Sequence, residues 1–157
     1  MKKQIYKILG NVTDPEVPVL SILDLGIVRD VLIQDEGIEI VITPTYSGCP
    51  AMNMIAMNIR IEMATHGFEN VKIKEVLSPA WTTDWMSEEG KRKLKEYGIA
   101  PPQYRVEDLG LRIEKDIPCP LCDSTNTELL SEFGSTSCKS LHRCKDCLEP
   151  FDYFKCH

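Results

Sequence analysis

From Gln4 to Val12 the apolar residues Ile5, Ile8, Leu9 and Val12 recur at i, i+3, i+4 and i+7, the spacing of one helical face. The pattern predicts a short first helix, stopped by Asp14-Pro15-Glu16-Val17-Pro18. Two prolines that close together remove amide donors and push their predecessors toward extended geometry. Two β-branched runs, 28–34 and 38–43, flank Asp35-Glu36-Gly37 and read as a hairpin whose second strand ends at Pro44. Ser47-Gly48-Cys49-Pro50 then leads into a helix with Met52, Ile55, Ile59 and Met63 as its buried stripe. Pro50 suits the first turn, where its missing N–H costs nothing, and Gly67 closes the helix. Val71 to Leu77 alternates as a third strand. Ser87 resembles an N-cap, with Glu88 and Glu89 in the first turn, Lys91-Arg92-Lys93 and Lys95 toward the far end, and Gly98 just past it. The order α-β-β-α-β-α predicts a small α+β domain over residues 1–100, with helices covering one face of a three-stranded sheet. Ala100-Pro101-Pro102 marks a stiff boundary, 101–116 a linker, and 117–157 a second, cysteine-rich domain.

Composition changes that picture in one respect. The chain has 157 residues, 43% hydrophobic and 27% charged, as expected of a globular protein, and its net charge is −6. Both sides of Gly110 are net negative, which disfavours nucleic-acid binding driven by the phosphate backbone. No apolar run approaches the roughly 20 residues that span a bilayer. Met1-Lys2-Lys3-Gln4-Ile5-Tyr6-Lys7 has no apolar segment behind its charges, so it does not read as a signal peptide and a cytoplasmic location is expected. In that compartment seven cysteines point to ligands or reactive thiols rather than disulfides, and six of them lie at or after Cys119.

Cys119-Pro-Leu-Cys122 and Cys144-Lys-Asp-Cys147 are two C-x-x-C knuckles separated by 21 residues. Two such turns bring four thiolates to tetrahedral distance, the closed cage that zinc takes in structural sites. Iron in the same cage is the alternative. The tail is too poor in aliphatic residues to hold a core of about 40 residues without such a staple. Strands expected over 128–133, 139–143 and 151–155 complete the plan of a zinc ribbon. Cys138, Cys156 and His157 stand outside the four, as additional or replacement ligands, a second site, or ordinary residues near the knuckles, while His66 and His142 read as surface or helix-end histidines.

Cys49 follows Gly48 at a strand-to-helix turn, where helix N-terminal amides favour a thiolate. The alternative is a small buried hydrophobe. Asp24, an acid in the apolar run Leu23-Asp24-Leu25-Gly26, either caps a turn or joins Cys49 in a site. Trp81-Thr82-Thr83-Asp84-Trp85 places two aromatics in a polar loop, for core closure or for a partner. No paired Glu-x-x-His helices, Rossmann fingerprint or P-loop is present.

Asp14-Pro15-Glu16-Val17-Pro18, then I-L-D-L-G-I-V over 22–28 and T-P-T-Y-S-G-C-P over 43–50, resemble the iron-sulfur assembly domain family. P-A-W-T-T-D-W, Y-G-I-A-P-P over 97–102 and F-D-Y-F-K-C-H over 151–157 are similar to one branch of it. That branch comprises the accessory D (also called J) subunits of bacterial phenylacetyl-CoA epoxidase (1,2-phenylacetyl-CoA oxygenase) systems. The resemblance implies an accessory, non-catalytic role in aerobic phenylacetate catabolism: maturation of an iron or iron-sulfur centre, with the flavin and iron-sulfur reductase as client and Cys49 as working thiol. It also implies a transient iron or cluster cargo and the epoxidase components as partners; because a single cysteine cannot hold a cluster, handling by Cys49 requires a homodimer, a partner, or help from the tail cysteines, beside structural zinc in the four-cysteine cage. The competing expectation is a structural subunit that steadies the oxygenase through its ribbon and the Trp81–Trp85 loop.

Overall fold

The computed structural model describes residues 1–46, 48–103 and 116–155. Cys156, His157 and most of the expected linker lie outside the described residues. The chain divides into two compact units, Met1–Gly90 and Lys91–His157.

In the first unit α1 (Lys2–Leu9) and α2 (Ala51–Thr65) flank a sheet of β1 (Val28–Gln34), β2 (Gly37–Ile42) and β3 (Val71–Glu75) in the order β1-β2-β3. β1 and β2 form the expected antiparallel hairpin, and β3 runs parallel to β2 after the α2 crossover. Burial of Ile38, Ile40 and Ile42 on alternate positions of β2 fixes the register, since a one-residue slip would expose all three. Ile5 and Leu9 of α1 and the expected α2 stripe of Met52, Ile55, Ile59 and Met63 are buried as well, and α1 and α2 are in contact. The register shifts between Val28 and Asp30, and the extra residue, Arg29, lays its guanidinium 3.7 Å from the centroid of the Trp85 ring.

The segment joining α1 to β1 is organised by short polar side chains. Asp14 Oδ1 accepts the Glu16 and Val17 N–H groups at 2.7 and 3.0 Å, which satisfies the amides of the proline-interrupted turn. Ser21 and Asp24 exchange reciprocal hydrogen bonds at 3.0 Å, each side chain accepting the other's N–H. Gly26, at φ +73°, follows directly. A Cβ there would overlap the Trp85 carbonyl oxygen, so the residue meets both a backbone and a space requirement. A 3-10 turn (Thr83–Trp85) leads into α3 (Glu88–Tyr97), whose N-cap is Ser87 as expected: its Oγ accepts the Gly90 N–H at 2.9 Å.

The second unit is a four-stranded sheet of β4 (Ile99–Ala100), β5 (Thr127–Ser131), β6 (Lys139–Cys144) and β7 (Pro150–Phe154), in the order β4-β7-β6-β5. Three strands match expectation. The fourth, β4, pairs parallel to β7 and has no counterpart in the sequence pattern, because two residues before Pro101-Pro102 carry no strand periodicity. One buried cluster of this unit is formed by Ala100, Ile117, Cys119, Cys144, Phe151 and Tyr153. Among the described residues no helix is long and apolar enough to cross a membrane.

Candidate functional site

The two knuckles meet in the second unit. Sγ of Cys119, Cys122, Cys144 and Cys147 all lie within 4.8 Å of one another, and they are the only such group of potential metal ligands among the described residues. Cys119 and Cys147 are 3.8 Å apart and Cys122 and Cys144 3.5 Å. A tetrahedron with zinc–sulfur bonds of about 2.3 Å has edges of about 3.8 Å, so the donor set fits a closed four-thiolate metal site.

Backbone geometry builds this cage. In the first knuckle the Asp123 N–H bonds the Cys119 carbonyl at 2.8 Å and the Cys119 N–H bonds the Ser124 carbonyl at 2.9 Å. In the second, the Cys147 N–H points at Cys144 Sγ, 3.4 Å away. Each knuckle is followed by a residue in the left-handed region, Asp123 at φ 60° and Leu148 at φ 65°. Both are non-glycine residues in a conformation that usually favours glycine. The thiols share charge unequally. The Cys147 N–H, helped by the Asp146 N–H and the Cys122 thiol, lowers Cys144 to about 7. The Ser124 N–H favours the thiolate of Cys122, but hydrogen bonding to Cys144 and desolvation outweigh it and push Cys122 up to about 12. Cys147 is also raised, by desolvation and the Cys144 thiolate against the favourable Glu149 N–H. Four thiolates this close repel one another, and a bound dication would offset that repulsion.

Cys49 belongs to the first unit and is not one of the four converging thiols. It is partly exposed, in the turn before α2, where its N–H bonds the Tyr46 carbonyl at 3.2 Å and its carbonyl accepts the Met52 N–H at 3.3 Å. The Thr45 hydroxyl lies 3.8 Å from its sulfur. The Thr43 hydroxyl, just past the end of β2, is buried without a hydrogen-bond partner among the described residues. Asp24 is buried with its carboxylate engaged: Oδ2 accepts the Ser21 N–H and Oδ1 the Ser87 hydroxyl at 3.1 Å, while its carbonyl accepts the Ser87 N–H. The acid thus caps one turn and anchors the start of α3.

The remaining candidates separate. Cys138 is buried, with the Thr136 hydroxyl 2.9 Å from its sulfur, and is not one of the four converging thiols. Trp81 closes the core: it is buried, and its Nε1–H donates to the Leu25 carbonyl at 2.7 Å. His66 caps α2, as a helix-end histidine should. His142 corrects the surface reading. It is 4% exposed, bonded through Nε2 to Ser140 Oγ at 2.9 Å and set against the Phe151 and Tyr153 rings, because its position on β6 faces the core.

One feature of the metal site escaped sequence reasoning. Asp146, inside the second knuckle, accepts hydrogen bonds from the Ser124 hydroxyl and, at 3.0 Å, from Asn126 Nδ2. The partners are 20 and 22 residues distant, beyond any local sequence signal.

Comparison with known proteins covers both units. The family model described as "Iron-sulfur cluster assembly protein" matches residues 2–74, and that described as "PaaD zinc beta ribbon domain" matches 105–155. The chain is 50% identical over 153 residues to an Escherichia coli (strain K12) protein named as the putative D subunit of 1,2-phenylacetyl-CoA epoxidase, covering 98% of this chain and 92% of that one. A Porphyromonas gingivalis "Fe-S protein maturation auxiliary factor" is 34% identical over 59% of this chain and 90% of its own length. Among solved structures, a domain of unknown function (DUF59) from Bacillus anthracis matches with TM-score 0.56 and 28% identity, over 59% of this chain and 90% of that one.

Proposed function

Because this chain belongs to the family of 1,2-phenylacetyl-CoA epoxidase D subunits, with an iron-sulfur cluster assembly domain and a PaaD zinc ribbon, we propose that it is an accessory maturation factor of such an epoxidase system. Its client in this reading is the iron-sulfur flavin reductase, and its cargo is iron or an iron-sulfur cluster. The observation that carries the reading is the division of the cysteines. Four thiols converge in one cage, which suits a structural zinc ion because a closed four-sulfur site keeps no open position for chemistry. Cys49 is not one of them and is partly exposed at the start of a helix, where an incoming metal can reach it.

A single thiolate cannot hold a cluster, since such centres usually take four. The client or a second copy of the chain must therefore supply the other ligands while Cys49 supplies one. Asp24 supports the site from within the fold. Its two oxygens bond Ser21 and Ser87, which hold the turn and α3 in place. The protein itself performs no epoxidation in this reading.

The test is complementation of a strain lacking this gene for growth on phenylacetate, together with iron and sulfide content of the purified reductase. Cys49→Ser is expected to lower reductase cluster content without loss of complex formation. Full cluster content with the serine variant would favour the structural role instead. That alternative loses its tryptophan surface in part, since Trp81 is buried, and would rest on exposed apolar residues such as Leu121 and Leu148 beside the knuckles.

A further inference from the structure

We infer that Asp146 is a positioning residue for the four-cysteine cage: its carboxylate clasps the second knuckle to the first through Ser124 and Asn126, and so sets how tightly the site holds its metal. The inference rests on the reading of Cys119, Cys122, Cys144 and Cys147 as a zinc site.

The geometry is specific to the two knuckles. Asp146 sits between Cys144 and Cys147, and each carboxylate oxygen takes a different donor, Oδ2 the Ser124 hydroxyl and Oδ1 the Asn126 amide. Both donors come from the segment that leaves the first knuckle for β5. Two backbone bonds run alongside: the Lys145 N–H to the Asn126 carbonyl at 2.8 Å, and the Cys119 N–H to the Ser124 carbonyl at 2.9 Å. Ser124 is itself fixed, because its Oγ accepts the Asn126 N–H at 3.1 Å. The side chain of Asp146 thus holds one knuckle against the other.

Metal binding and folding of this unit are coupled, so each contact that holds the four sulfurs within 4.8 Å of one another in the folded state adds to metal affinity. Without the clasp, only the β5–β6 pairing and its backbone bonds hold the two loops together at the shared end of the hairpin, and the metal must supply the rest. Partners of this kind outside the ligand set typically change metal affinity by 10–100-fold.

The experiment measures zinc affinity of the full chain by chelator competition, with the cobalt(II) thiolate spectrum as a second readout. Asp146→Ala is expected to bind zinc 10–100-fold more weakly, with the four-thiolate cobalt spectrum retained at saturation. Asp146→Asn keeps one acceptor and should fall between the two. Ser124→Ala and Asn126→Ala should each weaken binding by less, and Asp146→Ala added to that pair should cost nothing further. Should Asp146→Ala fail to fold, the milder variants carry the same test. Binding within twofold of the parent in Asp146→Asn, Ser124→Ala and Asn126→Ala overturns the clasp while leaving the zinc site intact. A parent chain that binds no zinc at all overturns both.

Discussion

Removal of the metal should unfold the second unit and leave the first. One buried cluster of the second unit consists of Ala100, Ile117, Cys119, Cys144, Phe151 and Tyr153. Two of these residues belong to the cage, and the large buried apolar side chains of the unit are Ile117, Phe151 and Tyr153 together with Leu94, Ile99 and Phe154. Full burial of a side chain of that size is worth about 1.5–3 kcal/mol, so these six side chains together supply roughly 9–18 kcal/mol, well short of what ordering the hairpin and both knuckles costs at about 1–2 kcal/mol per residue. Structural zinc bound by four thiolates contributes about 10–16 kcal/mol at neutral pH, as much as the whole stability of a typical domain. The first unit, by contrast, carries eleven large side chains below 2% exposure, among them Leu20, Ile40, Ile55 and Met63, and no converging cysteines. Hydrogen exchange on the full chain, zinc-loaded and after exhaustive chelation, separates the two. Amides of β6 and β7 should lose protection on metal removal, whereas those of β2 should keep theirs. Acid should act like chelation, because protons compete for the thiolates: bound cysteines have depressed pKa values, so their contribution is present at higher pH and lost as pH falls. Native-like protection of Leu141 and Tyr153 in the metal-free chain would refute this account.

Three further outcomes are expected. Thr43→Val should stabilise the first unit by about 1 kcal/mol in denaturant unfolding, because it replaces a buried, unpartnered hydroxyl with an isosteric methyl group; a loss of stability would show that the hydroxyl has a partner. Gly26→Ala should cost more than about 2 kcal/mol, since the left-handed backbone alone costs about 1–2 kcal/mol and the Trp85 backbone cannot yield; a smaller loss would mean that the Leu25–Ile27 turn relaxes. Lys2 and Asp30, 2.8 Å apart, form an exposed pair in which the Lys2 hydrogen bond lowers Asp30 and the Asp30 hydrogen bond raises Lys2. The Asp30 contribution is lost as pH falls through its folded value and the Lys2 contribution as pH rises through its own. Lys2→Met should therefore move the Asp30 carboxyl, followed by NMR, back toward 3.8, and an unmoved midpoint would show that the pair does not form in solution.

Local pattern determined the elements that local physics controls. The helical spacing of Met52, Ile55, Ile59 and Met63, the β-branched runs on either side of Asp35-Glu36-Gly37, and the Ser87 cap each depend on residues a few positions apart, and each stands where the pattern placed it. The knuckle cysteines were legible for the same reason: C-x-x-C spacing is itself the geometry of a metal turn. Contacts between distant residues were not legible. Asp24 could equally have capped a turn or faced Cys49, and only the arrival of Ser87, 63 residues later, shows where its carboxylate is spent. His142 looked like a surface residue because one histidine between Leu141 and Arg143 gives no sign of which sheet face it occupies; the register of β6 on β7 turned it toward Phe151 and Tyr153. Ile99–Ala100 is a strand only because β7 offers an edge, and Asp146 is a clasp only because Ser124 and Asn126 come within reach. Sequence determines what a residue prefers within a few neighbours, whereas its partner is chosen when the chain closes on itself and each buried donor and acceptor must find a counterpart.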